Sequence, residues 1–133
     1  MGKLIDASVL IAVERGQLDL AAARRQHARE PCAISAVTAS EMLHGTHRLK
    51  DGGKRARQQA FIEDILSQLP VLPFDLLAAR IHARLWTELA ASGRSVGERD
   101  LLIAATALSR DYGVVTRDER SFPRIPGLSV ERW

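Results

Sequence analysis

The sequence predicts an α/β fold built on a mainly parallel sheet. Short apolar runs of strand length alternate along the chain with longer stretches of helical apolar spacing, the signature of strands joined by crossover helices. No apolar run approaches the roughly 18 residues of a membrane span. At 133 residues, 46% hydrophobic and 26% charged, the chain suits one soluble domain, 1–133, with a single well-buried core.

The elements follow in order. Leu4-Ile5 reads as a short strand, and Ser8 to Arg15 as a helix closed by Gly16, a residue that accepts the left-handed conformation common at helix ends. Leu18 to Arg29 forms a second helical stretch, stopped before Pro31. Cys32–Ser35 is the next strand, followed by a helix from about Val37 to Leu49. Asp51-Gly52-Gly53 reads as a turn. Phe61, Ile62, Ile65, Leu66 and Leu69 then recur at helical spacing up to Pro70. Val71-Leu72 is a brief strand, and Ile81, Leu85 and Leu89 mark a helix ending near Gly93. "RDLLIAATALSRDYG" predicts a buried helix closed by Gly113, "VVT" at 114–116 a strand, and "LSVERW" the last strand.

Charge and composition bound the partners. Sixteen Arg and three Lys give a net charge of +3 and a pI near 9.6, which admits a polyanionic partner and equally an arginine-rich background. Aromatic residues are 5%, too few for base-stacking platforms, so any nucleic acid would be held by its phosphates. Cys32 is the one cysteine; no internal disulfide can form, and a reducing cytoplasm fits. The N-terminal apolar stretch is broken by Asp6 and does not read as a signal peptide.

Four carboxylates hold the chemical interest. Asp6 ends the first strand, and Asp118 comes two residues after "VVT". Asp100 opens the helix "DLLIAATAL", and Glu41 lies among Val37, Met42 and Leu43 on a helix otherwise short of charge. Each has a structural alternative: Asp6 or Ser8 as an N-cap, Asp100 as a complement to the helix dipole, Asp118 as a turn residue, Glu41 as an arginine's partner. In a parallel sheet, however, strand ends and helix starts share one rim, where ligands bind. Carboxylates gathered there must take up protons or recruit cations. Hard oxygen donors with water suit Mg²⁺ or Mn²⁺, and such an ion activates water and stabilises charge on a phosphate. That chemistry belongs to a metal-dependent nuclease.

Four segments, "LIDASVLIA", "ISAVTASEMLHGTHRL", "RDLLIAATAL" and "VVTRDERSFPRIPGLSVERW", resemble in order the motifs of the PIN domain, and specifically the VapC-type toxins of bacterial toxin–antitoxin pairs. The resemblance implies a three-layer α/β/α sandwich and a Mg²⁺- or Mn²⁺-dependent endoribonuclease leaving 5′-phosphate and 3′-hydroxyl ends. Carried onto this sequence, the catalytic acids are Asp6, Glu41, Asp100 and Asp118, with Asp6, Asp100 and Asp118 on the metal; Ser8 and Thr116 correspond to the hydroxyls that orient them. Glu98, two positions before Asp100, competes for the third place; Asp100 is preferred because it directly precedes the apolar run. Arg94, Arg99 and Arg117 are candidate contacts to the RNA backbone. The resemblance also implies a homodimer silenced by a cognate antitoxin. The alternative role is that of a non-catalytic corepressor, with the antitoxin contacting operator DNA.

Other constellations fail on particular residues. Glu41 and His44 form one E-x-x-H pair, but a di-iron bundle needs two, and no other histidine has a glutamate three positions before it. Position 8 is Ser where an Asp-nucleophile phosphatase requires an acid, and no Lys follows a late strand as in a phospho-acceptor domain. Neither a Walker loop nor a G-x-G-x-x-G is present.

Overall fold

Five short strands pair side by side, all parallel, in the order β3-β2-β1-β4-β5 in the computed structural model, which describes residues 1–133. They are β1 (Gly2–Ile5), β2 (Cys32–Ser35), β3 (Val71–Leu72), β4 (Tyr112–Thr116) and β5 (Val130–Arg132). Six helices connect them: α1 (Ala7–Glu14), α2 (Leu20–Gln26), α3 (Ala36–His47), α4 (Gly52–Gln68), α5 (Leu76–Ala91) and α6 (Glu98–Ser109). A single 3₁₀ turn, Phe122–Arg124, lies between β4 and β5. Where the sequence predicted a mainly parallel sheet, the pairing is wholly parallel.

Strand alternation divides the core into two layers. Leu4, Ala33 and Val114 face one side and pack with Leu85, Leu89, Leu101, Ile103 and Phe122 from α5, α6 and the 3₁₀ turn. Their neighbours Ile5, Ile34 and Val115 face the other, against Val9, Leu10, Leu20 and Ile65 from α1, α2 and α4. The register holds these pairs in line, with Leu4 beside Ala33 and Val114, and Ile5 beside Val115. Because each central strand is buried on both faces, it reads as a continuous apolar run. Helix α3 straddles the sheet end: Val37 packs on the first layer, Ala39 and Met42 on the second. The result is an α/β/α sandwich.

Several boundaries differ from the sequence reading. The second helix is shorter, starting at Leu20 behind the Asp19 side chain, which accepts the Ala22 N–H, and ending at Gln26. Asp51-Gly52-Gly53 is no turn but a helix start: Asp51 caps α4 by accepting the Lys54 N–H at 2.8 Å, and the two glycines form the first helical positions. Helix α6 is closed by Asp111, at φ 56°, and not by Gly113. Gly113 lies inside β4, where a Cβ would come within 3.1 Å of the Ser129 carbonyl oxygen. Gly16 and Gly93 do end α1 and α5, both at positive φ, with the paired return bonds of a Schellman motif.

Candidate active site

The carboxyl ends of β1 and β4, which are neighbours in the sheet, set the floor of the site. Asp6 follows β1 and occupies the N-cap position of α1, yet its side chain makes no capping bond. It is 6% exposed and turns toward β4. There Oδ2 accepts the Ser8 hydroxyl at 2.8 Å and the Thr116 hydroxyl at 2.9 Å. Both hydroxyls are themselves fixed by main-chain donors, Ser8 Oγ by the Arg117 N–H and Thr116 Oγ1 by the Asp118 N–H, each at 2.9 Å. Two residues chosen from sequence as orienting groups therefore hold the same oxygen, and Asp6 Oδ1 receives no protein donor.

The other acids come in from three directions. Glu41 projects from α3, whose start is set by the Ser35 hydroxyl accepting the Thr38 N–H. Asp100 stands in the first turn of α6, and Gly97 makes room for it: a Cβ there would lie 3.2 Å from Asp100 Oδ2. Asp118 follows β4 in a loop tied down by Phe122, which is buried in the first core layer.

Electrostatics link these acids in pairs, Glu41 with Asp6 and Asp100, and Asp100 with Asp6 and Asp118. Burial pushes the Glu41 carboxyl upward, Asp6 and Asp100 push it further, and Arg99 opposes them. Burial likewise raises Asp100; the Ser121 hydroxyl works against the rise, and the charges of Asp6 and Asp118 add to it. Asp118 is shifted the other way, because Arg120 binds it directly. Glu41 Oε1 is buried and has no hydrogen-bond partner, an arrangement that costs free energy unless a proton or a ligand completes it.

The donor set is all oxygen, as a hard divalent cation requires. No three His, Cys, Asp or Glu side chains lie close enough together to enclose an ion by themselves, so a cation seated here would keep part of its water shell. Glu98 is exposed and lines a separate groove with Arg94, His82 and Trp86, which leaves Asp100 as the acid facing Asp6. Of the three arginines singled out in the sequence, Arg99 borders the site together with Glu41 and His44. Arg117 donates its Nε to the Trp133 main-chain oxygen at 2.7 Å, and Arg94 lies on the groove between α5 and α6. Sequence reasoning missed Arg120 and Ser121. The dense run "RDERS" is their one visible signal, and nothing in it shows which charges face inward. Cys32 is buried, and burial raises its thiol away from the reactive thiolate.

Comparison with known proteins gives the family. The family model for the PIN domain matches residues 3–128. A protein named Ribonuclease VapC from Rickettsia bellii is 35% identical over 130 residues, 98% of this chain and 95% of its own length. The crystal structure of VapBC2 from Rickettsia felis, bound to a DNA fragment from its promoter, superposes with a TM-score of 0.89 at 26% identity, covering 100% of this chain and 99% of that one. VapBC-5 from Mycobacterium tuberculosis, described as a member of the VapBC family of toxin–antitoxin systems, gives 0.75 at 38% identity, over 98% and 95% of the two chains. Sequence match and superposed fold point one way: the chain belongs to the PIN-domain family, among its VapC ribonucleases.

Proposed function

We propose that the rim is the active site of a divalent-metal-dependent endoribonuclease that hydrolyses RNA phosphodiester bonds, and that a cognate antitoxin silences it. The observation that carries this reading is the buried, unpartnered Glu41 Oε1, set among the charges of Asp6 and Asp100. A structural ion pair would have satisfied that oxygen.

Asp6, Asp100 and Asp118 are the groups that would hold Mg²⁺ or Mn²⁺, with Asp6 Oδ1 free to do so while Oδ2 is fixed by Ser8 and Thr116. A divalent ion in such a place acidifies water and neutralises charge on the attacked phosphate. Glu41, its carboxyl raised by burial, is suited to take a proton from the attacking water. Arg99 stands beside Glu41 and faces where the phosphate backbone would enter. Arg94 lies on the separate groove with Glu98, and the Arg117 side chain is held by the Trp133 main-chain oxygen. The antitoxin partner is supported by the relatives solved as toxin–antitoxin pairs, and a homodimer is the assembly expected of the family. A purely non-catalytic corepressor would have no use for the unpartnered oxygen.

The test uses the purified chain, a mixed cellular RNA, and Mg²⁺ or Mn²⁺ against excess chelator. Cleavage is expected only with the ion, and is expected to fall below detection in Asp6→Asn and Asp100→Asn while circular dichroism stays native. Undiminished cleavage by both variants would remove the reading.

A further inference from the structure

We infer that the corner between α3 and α4 is a second RNA-backbone contact, gripping substrate phosphates several nucleotides from the bond cleaved at the rim. The inference rests on the ribonuclease reading of the rim and extends it to how the substrate is held.

Charge is the first observation. Residues 44–58, "HGTHRLKDGGKRARQ", contain five permanent cations, Arg48, Lys50, Lys54, Arg55 and Arg57, against one acid, Asp51. That is +4 in fifteen residues, more than the +3 of the entire chain. The remainder is thus slightly acidic, and an arginine-rich background spread evenly along the sequence does not account for the balance. Two of the three lysines also fall here.

Placement is the second. Lys54, Arg55 and Arg57 sit in the opening turns of α4, the positive end of its dipole, where cations are disfavoured and Asp51 at the cap is the one acid. Arg55 has an internal task, donating Nε to the Leu49 carbonyl at 3.0 Å and so fastening the corner. Asp51 is spent as the cap. Arg48, Lys50, Lys54 and Arg57 are exposed and form no ion pair. Four exposed cations without an ion pair, two of them in the opening turns of α4, make a surface suited to an external polyanion.

Continuity with the rim is the third. Glu41, His44 and Arg48 follow one another at i, i+3 and i+7, which places them on one face of α3. Glu41 to Arg48 spans ~10 Å along the helix axis. Arg99 and His44 line one groove with Glu41, and Lys54 and Arg57 line a second with Phe61 and Gln58. Glu14 is the sole acid on that second wall and faces Gln58 at 3.4 Å. His44 and Arg48 carry this face of α3 from Glu41 toward the cations of the corner.

The experiment places Arg48→Gln, Lys50→Gln, Lys54→Gln and Arg57→Gln together in an Asp6→Asn background, so that RNA stays intact. Binding to an RNA hairpin of about 30 nucleotides, and to a single strand of about six, is followed by anisotropy across a salt series. The expected result is at least a tenfold loss of hairpin affinity and a salt slope shallower by about 3, with the short strand little changed. Exchanging Arg48 and Arg57 for Lys retains the hairpin binding, and the melting temperature of the four-fold variant is no lower than that of its parent. Unchanged hairpin affinity and slope overturn the inference. So does a loss seen with duplex DNA or an acidic polypeptide but not with RNA. Should Asp6→Asn itself still cleave, the rim assignment fails, and these affinities still decide the corner.

Discussion

Arg120 holds both oxygens of Asp118 at once, Nε donating to Oδ1 at 3.0 Å and Nη2 to Oδ2 at 3.1 Å, while its own main-chain N–H adds a third bond to Oδ1. The guanidinium is 88% exposed and keeps the Asp118 carboxyl below the usual carboxylate range. A cation approaching the rim must share this carboxylate with the fork. Arg120→Gln is therefore expected to return the Asp118 titration to the ordinary range, read by carboxyl-carbon NMR. It is also expected to tighten Mn²⁺ binding roughly two- to five-fold by calorimetry, the modest effect of an exposed pair.

Thr116 supplies a second test. Its hydroxyl is fully buried and joins Asp6 to the Asp118 main chain. Thr116→Val keeps the shape and removes the bond. Loss of a group that orients a metal-facing carboxylate is expected to lower cleavage about 10–100-fold. Ser8→Ala should act in the same direction, and a full kinetic profile against metal concentration separates weakened ion affinity from slower turnover.

Stability in chelator should run opposite to activity. Burial and neighbouring acids raise Glu41 and Asp100 in the folded state, so the folded chain binds more protons than the unfolded one across the window between their ordinary and raised values. Their contribution to stability is therefore best at low pH and is lost as pH rises through that window. Asp118 contributes with the opposite sign, being depressed. Asp100→Asn is expected to melt on the order of 3 °C higher than the native chain at pH 7.5 without metal, a difference that disappears in acid. Calorimetric scans at both pH values check it.

Phe122 links the core to the site. Its ring is 1% exposed within the first core layer, and it fixes the loop that carries Asp118 and Ser121. Phe122→Ala is expected to cost about 3–5 kcal/mol, measured as a shift in the urea midpoint at constant slope.

The sheet was legible because paired apolar neighbours such as Leu4-Ile5 and Val114-Val115 serve both faces of a buried parallel strand, and nothing else explains them so simply. Asp6 and Asp100 stood out as charges at joints between apolar elements, and Glu41 as an acid within a helix otherwise short of charge. Local chemistry misled where one residue type serves two ends. Asp-Gly-Gly at 51–53 reads as a turn, but Asp51 accepts an N–H three residues on and becomes a cap. Gly113 looked like a helix stop, yet Asp111 takes the left-handed position and the glycine is needed for the close approach of Ser129. Arg120 was invisible, because exposed side chains in a charged loop follow no period that points to a partner.

The four acids come from the β1–α1 joint, from α3, from α6 and from the loop after β4, and β4 is itself the strand that joins β1 to β5. A chain emerging from the ribosome thus has three of them before it has the fourth, and no central strand to bring the first and last together. On the proposed reading a half-made copy has no complete rim, and the site is whole only when synthesis of the domain is nearly over.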